Sequence, residues 1–268
     1  MYKMVISMRK KCWIFCILLL LVFIFTLSAC VVDGYDSTTT YNGMRFMFFP
    51  HKTENNEKDY YYAAGELIDK NVENYFIPML VNDLPVRAFG WDGFASEIAM
   101  NLKDFALQKL YFPGTIIEQY KSEYISYVYK DIQIFYCGEV INLFDIFPNV
   151  HSSYMVDYYV SAEKYCQFEN TFNLYPYGPT CCSRINRANI SYRLNSEDMC
   201  EYYYVDNIEA GNKIENIPPE PTRKGYTFGG WYTEKECINI WDFDNIPTVS
   251  DNEETFVEFT LYAKWIKK

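Results

Sequence analysis

Lys109-Leu110-Tyr111-Phe112-Pro113-Gly114 is answered 24 residues later by Gln133-Ile134-Phe135-Tyr136-Cys137-Gly138, and 24 later again by Asp157-Tyr158-Tyr159-Val160-Ser161-Ala162. Each block is a polar residue, a short aromatic or aliphatic strand, and a small residue that closes it. Tyr75-Phe76-Ile77-Pro78 reads as an earlier, weaker copy. A period in the low twenties belongs to units too small to bury their own apolar face, which must stack on neighbours. The spacing therefore predicts a solenoid in which Leu110, Ile134 and Tyr158 stand side by side in one sheet with a shared open face. The 26 Tyr and 20 Phe of the chain fall largely in β-prone runs such as Tyr60-Tyr61-Tyr62 and Tyr202-Tyr203-Tyr204-Val205. Such runs suit half-buried strands, ring packed and hydroxyl wet. The expected fold class is mainly β with minor α: a degenerate repeat solenoid followed by a small second module.

Working outward, Ile77-Pro78, then Leu84-Pro85-Val86-Arg87-Ala88-Phe89-Gly90-Trp91-Asp92-Gly93-Phe94, then Leu107 to Ile116 resembles the BspA-type leucine-rich repeat. In that family a short strand ends in Ile-Pro, a turn follows, and the next coil opens. Here Phe112-Pro113 stands for Ile-Pro, and Ala88-Phe89-Gly90 departs from the usual Ile-Gly. The resemblance covers about 65 to 165 and fades from about 120 onward, so it does not set the number of coils. It implies a parallel sheet on one face and a concave surface that takes a protein or glycan ligand. Repeats need terminal caps, and Glu54–Asp59 with Tyr60–Leu67 fits an N-terminal one. Leu174-Tyr175-Pro176-Tyr177-Gly178-Pro179-Thr180 is rich in Pro and Gly and reads as the break between domains.

Beyond the break, Ile217-Pro218-Pro219-Glu220-Pro221-Thr222-Arg223-Lys224-Gly225-Tyr226-Thr227-Phe228-Gly229-Gly230-Trp231-Tyr232 leads to Trp241-Asp242-Phe243 and to Thr260-Leu261-Tyr262-Ala263-Lys264-Trp265. Tyr226 to Tyr232 alternates as a strand, with Gly229-Gly230 permitting a bulge. Leu261 to Trp265 alternates with period two. Prolines 218, 219 and 221 cannot donate to a ladder and lead in along an edge. Ala188 to Arg193 and Tyr202 to Val205 supply further strands. These blocks resemble, in order, the internalin B-type repeat, also called the Listeria–Bacteroides repeat. The resemblance implies a small β-grasp-like module over 188–268, with Trp231, Trp241 and Trp265 in its core and Trp265 closing that core against Trp231.

At the other end Lys3, Arg9, Lys10 and Lys11 precede the apolar run Cys12 to Phe25, which is followed by Leu27-Ser28-Ala29-Cys30. The run falls short of the roughly 20 residues of a permanent membrane span and suits a leader. An ordinary secretory signal or an uncleaved anchor are the alternatives. Leu-Ser-Ala-Cys resembles the lipobox of bacterial lipoproteins, which implies lipidation at Cys30 and cleavage before it. The segments are then a leader over 1–29, a tether over 30–43, the repeat domain over 44–187 and the second module over 188–268. Loss of the four leader cations takes the formal charge from −11 to −15. So acidic a chain lacks the Lys/Arg clusters that hold nucleic acid or anionic lipid. Attachment to the membrane falls to the lipid on Cys30, on the extracellular side of the cell membrane.

The residues point away from catalysis. His51 and His151 are the only histidines, and G-x-S-x-G, P-loop and H-E-x-x-H patterns are absent. Carboxylates such as Glu169 and Asp198 are plentiful without marking a pair. No catalytic residue, cofactor or metal is expected. Cys137, Cys166, Cys181, Cys182, Cys200 and Cys237 have no C-x-x-C spacing, and both free thiols and three disulfides stay open. Asn189-Ile190-Ser191 fits a glycosylation sequon by coincidence. The expected function is non-catalytic adhesion or recognition at a bacterial surface. A structural envelope protein without a specific ligand and a solute-binding lipoprotein of a transporter are the rivals.

Overall fold

A computed structural model describes residues 38–52, 58–90, 105–119, 127–128, 130–139, 143, 149–173, 182–252 and 254–268. The leader, Cys30, Trp91–Phe94, Cys181 and the Pro/Gly break at 174–180 lie outside them.

The chain opens as an antiparallel meander, β1 (Thr38–Tyr41), β2 (Met44–Lys52) and β3 (Lys58–Leu67). Thr38–Tyr41, read from sequence as tether, is thus a strand. Asn42 and Gly43, with φ of 46° and 79°, make the two-residue turn into β2 that Asn-Gly favours. The first repeat strand, β4 (Asn74–Phe76), ends before Ile77-Pro78, and a tight hairpin joins β5 (Leu80–Val81) to β6 (Leu84–Phe89). Asn82 and Asp83 turn that hairpin at positive φ. Next come β7 (Lys109–Phe112), β8 (Glu118–Gln119), β9 (Tyr127–Val128), β10 (Ile132–Tyr136), β11 (Asn149–Val150) and β12 (Val156–Val160). Helix α1 (Tyr165–Asn173) and β13 (Ser183–Arg187) complete the solenoid.

The 24-residue blocks fall in register. β10 pairs parallel with β7 and with β12, so that Ile134 faces Leu110 on one side and Tyr158 on the other. All three are fully buried. The weak copy joins them, Tyr75 standing beside Leu110 in β4. A fifth strand, β13, extends the sheet past β12, placing Ile185 beside Tyr158. Side chains alternate across this sheet. Tyr75, Leu110, Ile134 and Tyr158 enter the solenoid interior, where Val86, Ile116, Val160 and Phe168 of α1 fill the coils. On the other face Phe76, Tyr111, Phe135 and Tyr159 stack as a ladder, with successive ring centroids 4.1, 4.5 and 5.0 Å apart.

The C-terminal module is a mixed four-stranded sheet, β14 (Ile190–Arg193), β15 (Tyr202–Asp206), β16 (Tyr226–Tyr232) and β17 (Phe259–Lys267), in the order β15-β14-β17-β16. The central pair β14–β17 is parallel and the outer pairs are antiparallel. The β16 register slips between Phe228 and Trp231, and Gly230 has φ 102°, which is the bulge the Gly-Gly pair permits. Trp231 is buried against Tyr192 and Tyr203. Trp241 and Trp265 only line the rim of that core. The expected closure of Trp265 on Trp231 is corrected. Phe228 stands between them, 5.2 Å from one ring and 6.0 Å from the other, and the Trp265 indole instead donates to the Leu194 carbonyl at 2.6 Å.

The open repeat face is corrected too. β15 lies across the aromatic ladder, leaving Tyr111 and Phe135 buried in the same core as Tyr192, Tyr203, Tyr204 and Trp231. Three hydrogen bonds fix the contact. The Gly114 amide donates to the Tyr203 carbonyl (3.2 Å), the Tyr204 hydroxyl to the Ile77 carbonyl (2.6 Å), and the Tyr111 hydroxyl to Asp206 Oδ1 (3.1 Å). The physical cause is the Phe/Tyr column itself: exposed, it would be a large apolar patch, and β15 covers it.

Candidate functional site

With the ladder covered, a polar row remains beside it. Asn74, Lys109, Gln133, Asp157 and Arg184 occupy matching positions on the five parallel strands. These groups mostly engage the protein. Arg184 grips Asp157 through two bonds of 2.6 and 2.9 Å, which raises its already high pKa. Gln133 donates to the Tyr159 hydroxyl at 3.5 Å, and Asn74 to Asn216 at 2.9 Å. Lys109 lies 5.6 Å from the Phe135 ring centre. A row that satisfies itself stiffens the sheet more than it invites a ligand.

The C-terminal module carries the better-formed concavity. Across its four strands Tyr202, Arg193, Tyr262 and Tyr232 align in one row, each paired with the next. The loop from Asn195 to Glu201, with Arg223 and Lys235, raises walls around Arg193 and Tyr262 and borders a half-open cleft of about 620 Å³.

Two arginines are held rigidly in these walls. Arg193 lies 4.5 Å over the Tyr202 ring, donates to the Tyr202 hydroxyl at 2.8 Å, and pairs with Glu201 and, at 3.7 Å, with Glu163 from the solenoid. Arg223 stacks 3.9 Å from the Tyr226 ring centre and pairs with Asp198 at 2.7 Å. Stacking and forked hydrogen bonding both suit the planar guanidinium and remove its rotamer freedom. The Ser196 hydroxyl, with Arg223 behind it, holds the Asp198 carboxyl below its usual range. Asn195, at φ 52°, donates to the Lys235 carbonyl at 2.9 Å and ties the two walls together.

Sequence reasoning missed this cleft. Arg223 lay inside the quoted Pro-rich motif and Asp198 was noted only as a carboxylate. The loop between β14 and β15 has no spacing that announces a site. Among residues that reasoning did single out, Cys30 lies outside the described residues, and His151 sits on an exposed turn where its Nδ1 accepts from the Ser153 amide at 3.3 Å. Among the described residues Cys137, Cys166, Cys200 and Cys237 are free thiols. Burial pushes Cys137 up, and Cys200 to about 11, which leaves both poorly nucleophilic. The sequon is closed: Asn189 is fully buried, exchanging hydrogen bonds of 2.8 and 3.0 Å with the Ile208 backbone. No group of three or more His, Cys, Asp or Glu side chains among the described residues is placed to hold a metal. No helix among them is long and apolar enough to cross a membrane.

Residues 189–264 match the Listeria–Bacteroides repeat domain, a span running from the turn before β14 into β17. Two proteins of Evansella cellulosilytica are similar over part of the chain. One, provisionally named as a membrane protein, is 32% identical over 83 residues, 30% of this chain and 10% of its own length. The other, provisionally named as a Gly-rich membrane protein, is 36% identical over 84 residues, 30% of this chain and 8% of its own. The match thus spans about a tenth of the length of these curated relatives.

Proposed function

We propose that the chain is a non-catalytic surface protein of a bacterium, lipid-anchored through Cys30 and presenting a repeat solenoid and a Listeria–Bacteroides module for adhesion or recognition. The observation that carries this reading is the combination of that repeat domain at 189–264 with a stacked parallel solenoid before it. Membrane-protein names among the relatives and the likeness of 65–165 to BspA-type leucine-rich repeats, proteins that bind with their repeat surface, agree with it. The lipobox-like Leu27-Ser28-Ala29-Cys30 supplies the anchor. Two acyl chains hold a protein stably at a bilayer where one holds it marginally.

The anchor is tested by Cys30→Ser. The variant should leave the membrane fraction and appear in the medium, and a variant that stays membrane-bound through high-salt washing would remove the lipid anchor from the reading. Recognition is tested by passing the protein over host-matrix and cell-envelope extracts. A second reading, a structural envelope protein without a ligand, is favoured by the covered ladder and the self-paired polar row. Empty eluates from every extract would select it.

A further inference from the structure

We infer that the cleft between the β14–β15 loop, Arg223 and Tyr262 is a binding site for a short, uncharged oligosaccharide. The inference deepens the recognition reading above, and it moves the ligand from the solenoid face to the C-terminal module.

The argument starts from the kind of group that lines the cleft. Its volume, about 620 Å³, falls within the range of small-ligand sites. Small-molecule sites are ordinarily lined mostly by apolar side chains with a few polar ones. Here the proportion is reversed. Tyr262 and Met199 are the large apolar members, and the remaining wall is guanidinium, carboxylate, amide, hydroxyl and ammonium. Apolar peptide side chains gain little from such a wall. Sugars do, because a pyranose offers vicinal hydroxyls around its rim and C–H groups on its faces. Two adjacent hydroxyls match the paired N–H groups of a guanidinium or the two oxygens of a carboxylate, and the C–H face rests on an aromatic ring.

Charge compensation selects an uncharged sugar over an acidic one. Arg193, Arg223 and Lys235 stand among Glu197, Asp198, Glu201 and the Glu163 that also pairs with Arg193, both arginines being paired within the wall. The site therefore offers directed donors and acceptors with no excess of cations, and a free carboxylate would have to displace Asp198 or Glu201 from an established pair. The walls are also set before any ligand arrives. The stacking of both arginines and the Asn195 tie across the two loops hold these groups in place. Ordering entropy is thus largely spent in folding, which favours weakly hydrophobic ligands whose affinity comes from many aligned hydrogen bonds.

The test titrates the full chain, in detergent micelles, with maltotriose, cellotriose and chitotriose by calorimetry, and with tetraglutamate as the acidic peptide arm. At least one trisaccharide should bind saturably, and a Glu197→Ala/Lys235→Ala double variant should weaken it about tenfold. Both substituted residues are exposed on the loops, so the fold survives and an unchanged melting temperature confirms that. Tyr262→Ala should abolish binding. The proposal is overturned if none of the trisaccharides binds, if binding ignores the double variant, or if tetraglutamate alone occupies the cleft. Failure here with ligands still captured from extracts would remove only the sugar site. Failure of both would remove recognition as well.

Discussion

Gly114 tests whether the solenoid and the C-terminal module are one packed body. The Gly114 turn comes so near β15 that an added Cβ would sit 2.1 Å from the Tyr202 carbonyl oxygen, 3.1 Å from its carbon and 3.3 Å from the Cys200 sulfur. The first contact is with backbone, which cannot rotate away as a side chain would. Relief in Gly114→Ala must come from parting the turn and β15, and the Gly114 amide then loses the Tyr203 carbonyl it meets at 3.2 Å. Overpacking of a dense core costs about 1–3 kcal/mol. A buried backbone pair left unsatisfied costs about 1–3 kcal/mol more. The sum, roughly 2–6 kcal/mol, is a large share of the 5–15 kcal/mol typical of a whole domain.

Urea unfolding followed by far-UV circular dichroism reads the total loss, and the rate at which Cys137 reacts with a thiol reagent reads its location. Cys137 is buried beneath the same seam, its sulfur 3.7 Å from the Tyr203 carbonyl. Gly114→Ala should therefore lower the midpoint and speed Cys137 labelling under native conditions. Gly211→Ala is the control, since its position has φ 90° but open space around the new Cβ. It should cost only local backbone strain, on the order of 1–2 kcal/mol, without exposing Cys137. Wild-type stability and wild-type labelling in Gly114→Ala would refute the tight seam.

Asp206, at the same seam, should make stability depend on pH. Burial pushes its carboxyl up to about 6 although Lys109 pulls it down, against about 3.9 in an unfolded chain. The folded state holds the extra proton between those values, so this contribution is complete below pH ~4 and is lost as pH rises through ~6, on the order of 3 kcal/mol in all. Asp206→Asn keeps an acceptor for the Tyr111 hydroxyl and should flatten that slope in urea titrations from pH 4 to 8; an unchanged slope would place the proton elsewhere. Trp231→Ala should cost about 3–5 kcal/mol, and Trp265→Ala visibly less, because Trp265 is only half-buried. Equal losses in thermal unfolding would contradict the rim position of Trp265. An isolated 188–268 fragment, though it contains the whole repeat match, should unfold at lower urea than the full chain, since Tyr111 and Phe135 complete its core. Identical midpoints would show that the seam adds little.

How much of this was legible follows from what interrupts the period. Partners along the solenoid sheet are separated by 35, 24, 24 and 27 residues. The two equal steps showed in the sequence because each coil carries an aromatic strand closed by a small residue. The closure has a steric cause at Gly138, where an added Cβ would lie 2.1 Å from the Ile116 carbonyl oxygen of the previous coil. The long first step is lengthened in part by the β5–β6 hairpin, so Tyr75 looked like a weak copy. The last step contains α1, and its strand, Ser-Arg-Ile-Asn-Arg, offers one apolar residue where the others offer several. Nothing in its composition announces a fifth coil. The Trp265 error has a similar origin: alternation put it on the core side of β17, but Trp265 lies near the end of that central strand, which runs past the end of the core.

The seam itself had a signal that period and motif both passed over. Tyr202-Tyr203-Tyr204-Val205 is an uninterrupted apolar run, and such a run marks a strand buried on both faces. In a four-stranded sheet where β15 is an outermost strand, one face can rest on the module's own core, but the other needs a cover from elsewhere. The residues of β15 are indeed buried throughout. The aromatic column of the solenoid poses the same problem in reverse, a row of rings with no coil beyond it. Each surface is the cover the other lacks, which is why the repeat match at 189–264 marks a unit of sequence while the unit of packing runs on into the solenoid. Any ligand for this chain would meet a solenoid whose broad face is already taken, and the cleft in the C-terminal module lies on the face of its sheet opposite the shared core, with Arg193 reaching Glu163 of the solenoid at its edge. Arg193 and Tyr262 face the cleft, while their neighbours Tyr192 and Leu261 point the other way, into the shared core.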